Sequence, residues 1–263
     1  MEMRQSRVLE KLRAGGVVHS FKLNFADGRI AEIAALHDFD CIWVCTEHIG
    51  TDWSVVEKQI WAAKSRDVDV MVRVARGSYS DYIRPLELDA SGIMVPHVMS
   101  LEDARQVVRT TRFHPVGRRP VDGGNADARY CGVDFVEYLR RANEQRFVVI
   151  QIEDPEPFDE LDDIAALDGI DMLFFGPGDF SHGIGAPGEW DNPRLVDARK
   201  LVAETALKYG KFAGTTGDLS SLKELIAMGY RFINIGADVL GLNDYCSRLV
   251  SGFTKIVDSS LKS

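Results

Sequence analysis

VVIQIED (148–154) is an apolar, β-branched run that carries one polar residue, Gln151, and closes on the carboxylate of Glu153. A strand this apolar is covered on both faces, as in a parallel sheet packed under helices. A second such run, LFFGPGDFS (173–181), ends at Asp179, 26 residues after Glu153. That interval is about one strand–helix–strand unit, which sets neighbouring parallel strand ends side by side. Two carboxylates beyond adjacent strand ends suit one divalent cation; the bland alternative is a pair of rim acids bonded to arginines or helix N-termini.

Outward from this pair, apolar runs bounded by turn residues give eight strands: 17–24, 41–45, 69–74, 92–98, 147–153, 172–177, 212–216 and 232–238. Helix-period stretches separate them, with start signals at Asp52 or Ser54, at Ser80, at Ser100 with Asp103, and at Asp218. Eight β-α units predict an α/β protein of the (β/α)8 TIM-barrel class, a single domain over residues 1–263, with its chemistry at the C-terminal ends of the strands. One interval is long: the segment near 113–130, FHPVGRRPVDGGNADARY, has too many glycines and prolines for a helix and reads as a lid or interface loop. Its Arg118 and Arg119 are available either to solvent or to an anionic ligand or partner subunit. The apolar pattern near 239–257 reads as a C-terminal helix.

With 31 Lys and Arg against 40 Asp and Glu, the net charge of −9 argues against nucleic acid and anionic membrane as partners and towards a small ligand. No signal-like segment opens the chain and no run is long enough to span a bilayer, so the expected location is cytoplasmic. Four cysteines (41, 45, 131, 246) make no disulfide framework, and reduced, buried thiols are expected.

The other strand ends carry more chemistry. CTEH (45–48) puts Glu47 and His48 at the rim, and an imidazole there is a natural proton acceptor unless it only caps the chain. Arg73, inside the apolar MVRV, needs an anion; a structural salt bridge or a developing oxyanion answers that need. Gln151 shares a strand face with Glu153 and can donate to a substrate oxygen. Gly178, in the turn before Asp179, lets backbone approach a ligand closely. His97, at the end of the fourth strand, is a second-tier site residue.

CTEH, MVRV, GIMVPHV, VVIQIED and LFFGPGDFS, in this order, make the chain resemble the HpcH/HpaI aldolases, metal-dependent pyruvate aldolases, over nearly its whole length. By that resemblance Glu153 and Asp179 look like the metal ligands, for Mg²⁺ or Mn²⁺ with Co²⁺ or Zn²⁺ as alternatives. His48 looks like the catalytic base and Arg73 the transition-state stabiliser, while Gln151, Gly178 and Asp179 look like substrate contacts. The family's acidic residue that raises the basicity of the histidine falls on Glu87, here one carbon longer than the usual Asp and expected to pair with the His48 ring. The family usually has Asp where Cys45 stands, and its glycine-rich arginine loop is altered to GRRPVDGG. The resemblance implies reversible cleavage of a 4-hydroxy-2-oxo acid to pyruvate and an aldehyde, in a homo-oligomer, a hexamer with exchanged C-terminal helices. Rival readings are an enolate lyase acting on an acyl-CoA, which calls for a basic groove, a non-catalytic oxo-acid binder, and a Schiff-base aldolase using Lys22.

Overall fold

The structure, a computed structural model, describes residues 2–261. Its strands are β1 (Val18–Leu23), β2 (Cys41–Cys45), β3 (Asp69–Arg73) and β4 (Gly92–Val95), then β5 (Phe147–Ile152), β6 (Met172–Phe175), β7 (Phe212–Thr216) and β8 (Phe232–Ala237). They close into one barrel in chain order, every neighbouring pair parallel. All eight predicted strands are present. Several stop short of their predicted ends for a local reason: β4 ends before Pro96, which has no amide to donate to the ladder. β5 ends at Ile152, leaving Glu153 just beyond the sheet.

The helices are α1 (Arg7–Arg13), α2 (Gly28–Leu36), α3 (Trp53–Lys64), α4 (Tyr79–Glu87) and α5 (Leu101–Thr111). After them come α6 (Phe135–Gln145), α7 (Leu161–Ala166), α8 (Pro177–Gly183), α9 (Pro193–Lys208), α10 (Leu222–Met228) and α11 (Asp238–Leu261). The Ser100 cap of α5 is as expected, its hydroxyl accepting from the Asp103 amide at 3.2 Å. The α4 start is two residues earlier than predicted, at Ser78, where Asp81 completes a capping box. At α10, Asp218 organises the turn before the helix and Ser221 is the cap.

Residues facing out from the strands pack under the helices in one large core, while Cys41, Trp43, Met71, Met94, Phe147, Met172, Phe174 and Phe232 fill the barrel. Gly214 makes room for that filling, since a Cβ there would lie 2.6 Å from the Phe174 ring. Helix α1, absent from the sequence reading, plugs the N-terminal end with Val8, Leu9 and Leu12. The buried carboxylate of Asp69 anchors it, accepting from Arg4 at 2.6 Å, Ser6 Oγ at 2.5 Å, the Val8 amide at 3.0 Å and Ser91 Oγ at 3.0 Å.

The glycine-rich segment between α5 and α6 is fastened to the outer wall. Asp89 accepts from the Ala126 and Asp127 amides, and buried Asp127 pairs with Arg146 at 2.6 Å and Lys64 at 3.1 Å. Burial alone raises the Asp127 carboxyl; the two cations overcome it and hold the group at about 2. Arg119 is not free for a ligand: buried over the Phe113 ring, it donates to Glu87 at 2.7 and 3.1 Å. Arg118 remains exposed. Of the cysteines, Cys41 and Cys45 are buried as expected, whereas Cys131 and Cys246 are exposed free thiols.

Candidate active site at the open end of the barrel

A cavity of about 460 Å³ opens at the C-terminal ends of the strands, lined by Lys22, Asn24, Trp43, His48, Arg73, Gln151, Phe174, Thr216 and the 176–179 turn. Arg73 is buried at its floor, its guanidinium 5.0 Å from the Trp43 ring. The anion it needs is Glu47: Arg73 Nε and Glu47 Oε2 lie 3.0 Å apart as an ion pair without hydrogen-bond alignment. The same guanidinium reaches Cys45 Sγ at 3.3 Å and His48 Nδ1 at 2.7 Å. A guanidinium only donates, so Nδ1 accepts and the neutral His48 ring carries its proton on Nε2.

Cys45, Glu47 and His48 offer atoms within 4.8 Å of one another, a spacing that also suits a metal ion. Arg73 contacts all three, so the cation of this cluster is the arginine. Glu87 does not join it. Its carboxylate is committed to Arg119, with Asn125 Nδ2 at 3.4 Å; among the described residues the expected Glu87–His48 pair is not formed. The groups that face His48 Nδ1 are Arg73, then Glu47 Oε2 at 3.4 Å and Cys45 Sγ at 3.9 Å.

Across the mouth, Glu153 is 1% exposed. It accepts from the His97 amide at 3.0 Å and, in a short contact, from Gln151 Nε2. Burial, countered by His97 and reinforced by the Asp179 charge, pushes its carboxyl up to about 8. Asp179 stands exposed in the first turn of α8, beside Gly178. Gly176 is required here, because a Cβ would lie 2.6 Å from Glu153 Oε2 and 2.9 Å from Gln151 Nε2. With Gln151 Nε2 turned to Glu153, Gln151 Oε1 is buried without a partner. A desolvated carboxylate, a second carboxylate whose charge reaches it and an orphaned amide oxygen form an oxygen-rich set that fits a hard divalent cation.

His97 is more central than the sequence suggested. Its φ of 49° turns the chain after β4 so that ring Nδ1 donates to Asp154 at 2.8 Å and the ring faces Glu47 at 3.5 Å and Glu153 at 3.8 Å. Burial lowers its pKa, but the Asp154 bond and the surrounding acids raise it on balance. Three acids from two loops, Glu47 after β2 and Glu153 with Asp154 after β5, converge on this one ring, and no local spacing announces that.

Fold and site together define a (β/α)8-barrel enzyme working at its strand ends. The model of the HpcH/HpaI aldolase/citrate lyase family matches residues 23–243, and the chain belongs to that family. Aldolases of this family depend on a divalent metal. Among its relatives, the hydroxypyruvate/pyruvate aldolase of Pseudomonas aeruginosa is 31% identical over 240 residues, 90% of this chain and 89% of the relative. The 2-keto-3-deoxy-L-rhamnonate aldolase of Escherichia coli strain K12 is 28% identical over 247 residues, 93% and 91% of the two chains. The crystal structure of an HpcH/HpaI aldolase from Desulfitobacterium hafniense DCB-2 superposes with a TM-score of 0.88 at 27% identity, covering 93% of this chain and 95% of that one. Among the described residues, no helix is long and apolar enough to cross a membrane.

Proposed function

We propose that this chain is a metal-dependent pyruvate aldolase that cleaves a 4-hydroxy-2-oxo acid to pyruvate and an aldehyde, and runs the reverse condensation. The observation that carries this reading is the buried Glu153, its carboxyl pushed up to about 8 partly by the Asp179 charge and bonded to Gln151, while Gln151 and Asp179 line a cavity whose floor is a buried arginine. Glu153 and Asp179 would hold the ion, with Mg²⁺ or Mn²⁺ suited to all-oxygen ligands. When bound, the ion supplies Lewis-acid polarisation of the 2-oxo acid.

The chain's own groups then divide the work. Gln151 keeps Glu153 oriented through its amide, and its Oε1 is left buried with no donor among the described residues. Arg73 donates to the oxygen that turns negative as the C3–C4 bond breaks. As it turns from His48 Nδ1 to that oxygen, it uncovers the Nδ1 lone pair, which takes the proton from the C4 hydroxyl. Glu47, paired with Arg73 Nε at 3.0 Å, anchors that end of the guanidinium while its other nitrogens turn.

The working form is a homo-oligomer. Helix α11 meets the barrel chiefly at β1 and β8, and Leu242, Tyr245, Leu249, Phe253 and Ile256 form an exposed stripe along it. A stripe of this size is covered in solution by another surface, and an exchanged helix from a second copy is the economical arrangement.

A pyruvate-release assay over a series of 4-hydroxy-2-oxo acids tests the activity. Cleavage should stop in chelator and return with Mg²⁺ or Mn²⁺. Cleavage that is indifferent to chelator contradicts the reading, as does the absence of pyruvate release together with an absence of proton exchange at the methyl group of added pyruvate.

A further inference from the structure

On the side of the mouth away from the acidic pair, Lys22 enters the cavity from β1, which is four strands from β5 in either direction round the barrel. Its backbone pairs in register with Trp43, and its ammonium lies 5.5 Å from the centre of the Trp43 ring. Among the described residues it has neither a hydrogen bond nor an ion pair. The nearby acids are already engaged. Glu47 is held by Arg73, and Asp238 accepts from the Asn24, Phe25 and Val239 amides. The Trp43 indole N–H, on the neighbouring strand, is also buried with no acceptor. This wall of the cavity therefore presents a positive charge with no acidic group free to receive it.

Burial, and after it the like charge of Arg73, lower the Lys22 pKa. Both pressures are relieved when an anion arrives, because an opposite charge favours the ammonium. An unpaired, half-buried cation is therefore a specificity element for a negatively charged ligand. The 2-oxo acid end of the substrate is taken by the acidic pair and Arg73, so the part that reaches β1 is the aldehyde half.

We propose that Lys22 is the specificity-determining residue for the aldehyde half, and that it selects aldehydes carrying an anionic group, a carboxylate or a phosphate. This inference rests on the aldolase reading above and adds the class of its second substrate. It assigns Lys22 a binding role with no covalent step.

The test is condensation of pyruvate with paired aldehydes of matched length, one neutral, one ending in a carboxylate and one in a phosphate, with the metal-loaded enzyme. Wild-type enzyme should favour an anionic aldehyde over its neutral partner by roughly ten- to hundredfold in kcat/KM, the worth of a charge-assisted contact. The carboxylate and phosphate arms tell which anion is meant. In Lys22→Met that preference should collapse, mainly through KM of the anionic aldehyde, and Lys22→Arg should restore most of it. A wild-type enzyme with no anionic preference overturns the proposal without any variant having to fold. So does a Lys22→Met enzyme that loses neutral and anionic aldehydes equally, or borohydride trapping of pyruvate on Lys22, which would make the residue a Schiff-base former. Proton exchange at the pyruvate methyl, measured in the wild type alongside, separates the two claims: exchange without anionic preference defeats the Lys22 role alone, whereas no exchange defeats the aldolase reading.

Discussion

At the end of the barrel closed by α1, Asp69 accepts four hydrogen bonds and Asp127 is clamped between Arg146 and Lys64. At the open end, Glu153 keeps its proton up to about pH 8, Gln151 Oε1 has no partner and Lys22 has no counter-ion. Both regions bury charge, and the open end pairs Arg73 with Glu47, but there Gln151 Oε1 and the Lys22 ammonium find no polar partner among the described residues. Buried polar groups left unpaired cost stability, and a fold tolerates them where a ligand completes the set. The closed end is built for stability and the open end for binding, the division of labour expected of barrel enzymes.

The largest effect that can break this comparison is at the closed end. Asp69→Ala leaves Ser6 Oγ, the Val8 amide and Ser91 Oγ without their acceptor and Arg4 with Asp67 alone, and should lower the unfolding free energy by ~3–5 kcal/mol in urea titration. Turnover per folded molecule should be retained; a loss of turnover with full stability would show that the two ends are not separate. At the open end Arg73→Ala should lower kcat by about 10²–10³, as removal of an oxyanion donor does. Metal binding, followed by calorimetry, should persist, and an arginine variant with normal kcat would return Arg73 to a purely structural role.

Two pH profiles sharpen the contrast. Glu153 has a folded pKa raised above its ordinary 4.5, so its contribution to stability is complete below 4.5 and is lost as pH rises through about 8. Metal-free protein should therefore weaken over that window, and Glu153→Gln should flatten the slope in thermal melts. A slope that survives the substitution would place its origin elsewhere. Asp127 behaves oppositely: its folded pKa is depressed, so its contribution is present above 3.8 and is lost as pH falls towards about 2. Asp127→Asn should be the less stable protein at neutral pH, and the gap should narrow by roughly 2 kcal/mol on acidification. A constant gap would mean that the Arg146 and Lys64 pairing contributes nothing.

What was legible in the chain follows the same division. Strand runs are period and composition, and all eight were readable, as were the inward Arg73, Gln151 and Glu153, because alternation fixes the face a strand residue occupies. Contacts between separate loops were not. Glu87 was expected at His48, but Arg119, from a loop far along the chain, takes its carboxylate. Helix α1 is only seven residues long and its apolar face is meaningful only once a barrel end needs closing. His97 gained its place from a left-handed turn and from three acids on two other segments.

Manganese titration read by electron paramagnetic resonance tests the divalent-cation site most directly, with wild type, Glu153→Gln and Asp179→Asn compared at one pH above 8. The account predicts one ion per chain in the wild type and loss of that ion in both variants, with the fold intact by circular dichroism. Equal binding by all three proteins, or no ion in any of them, would contradict it.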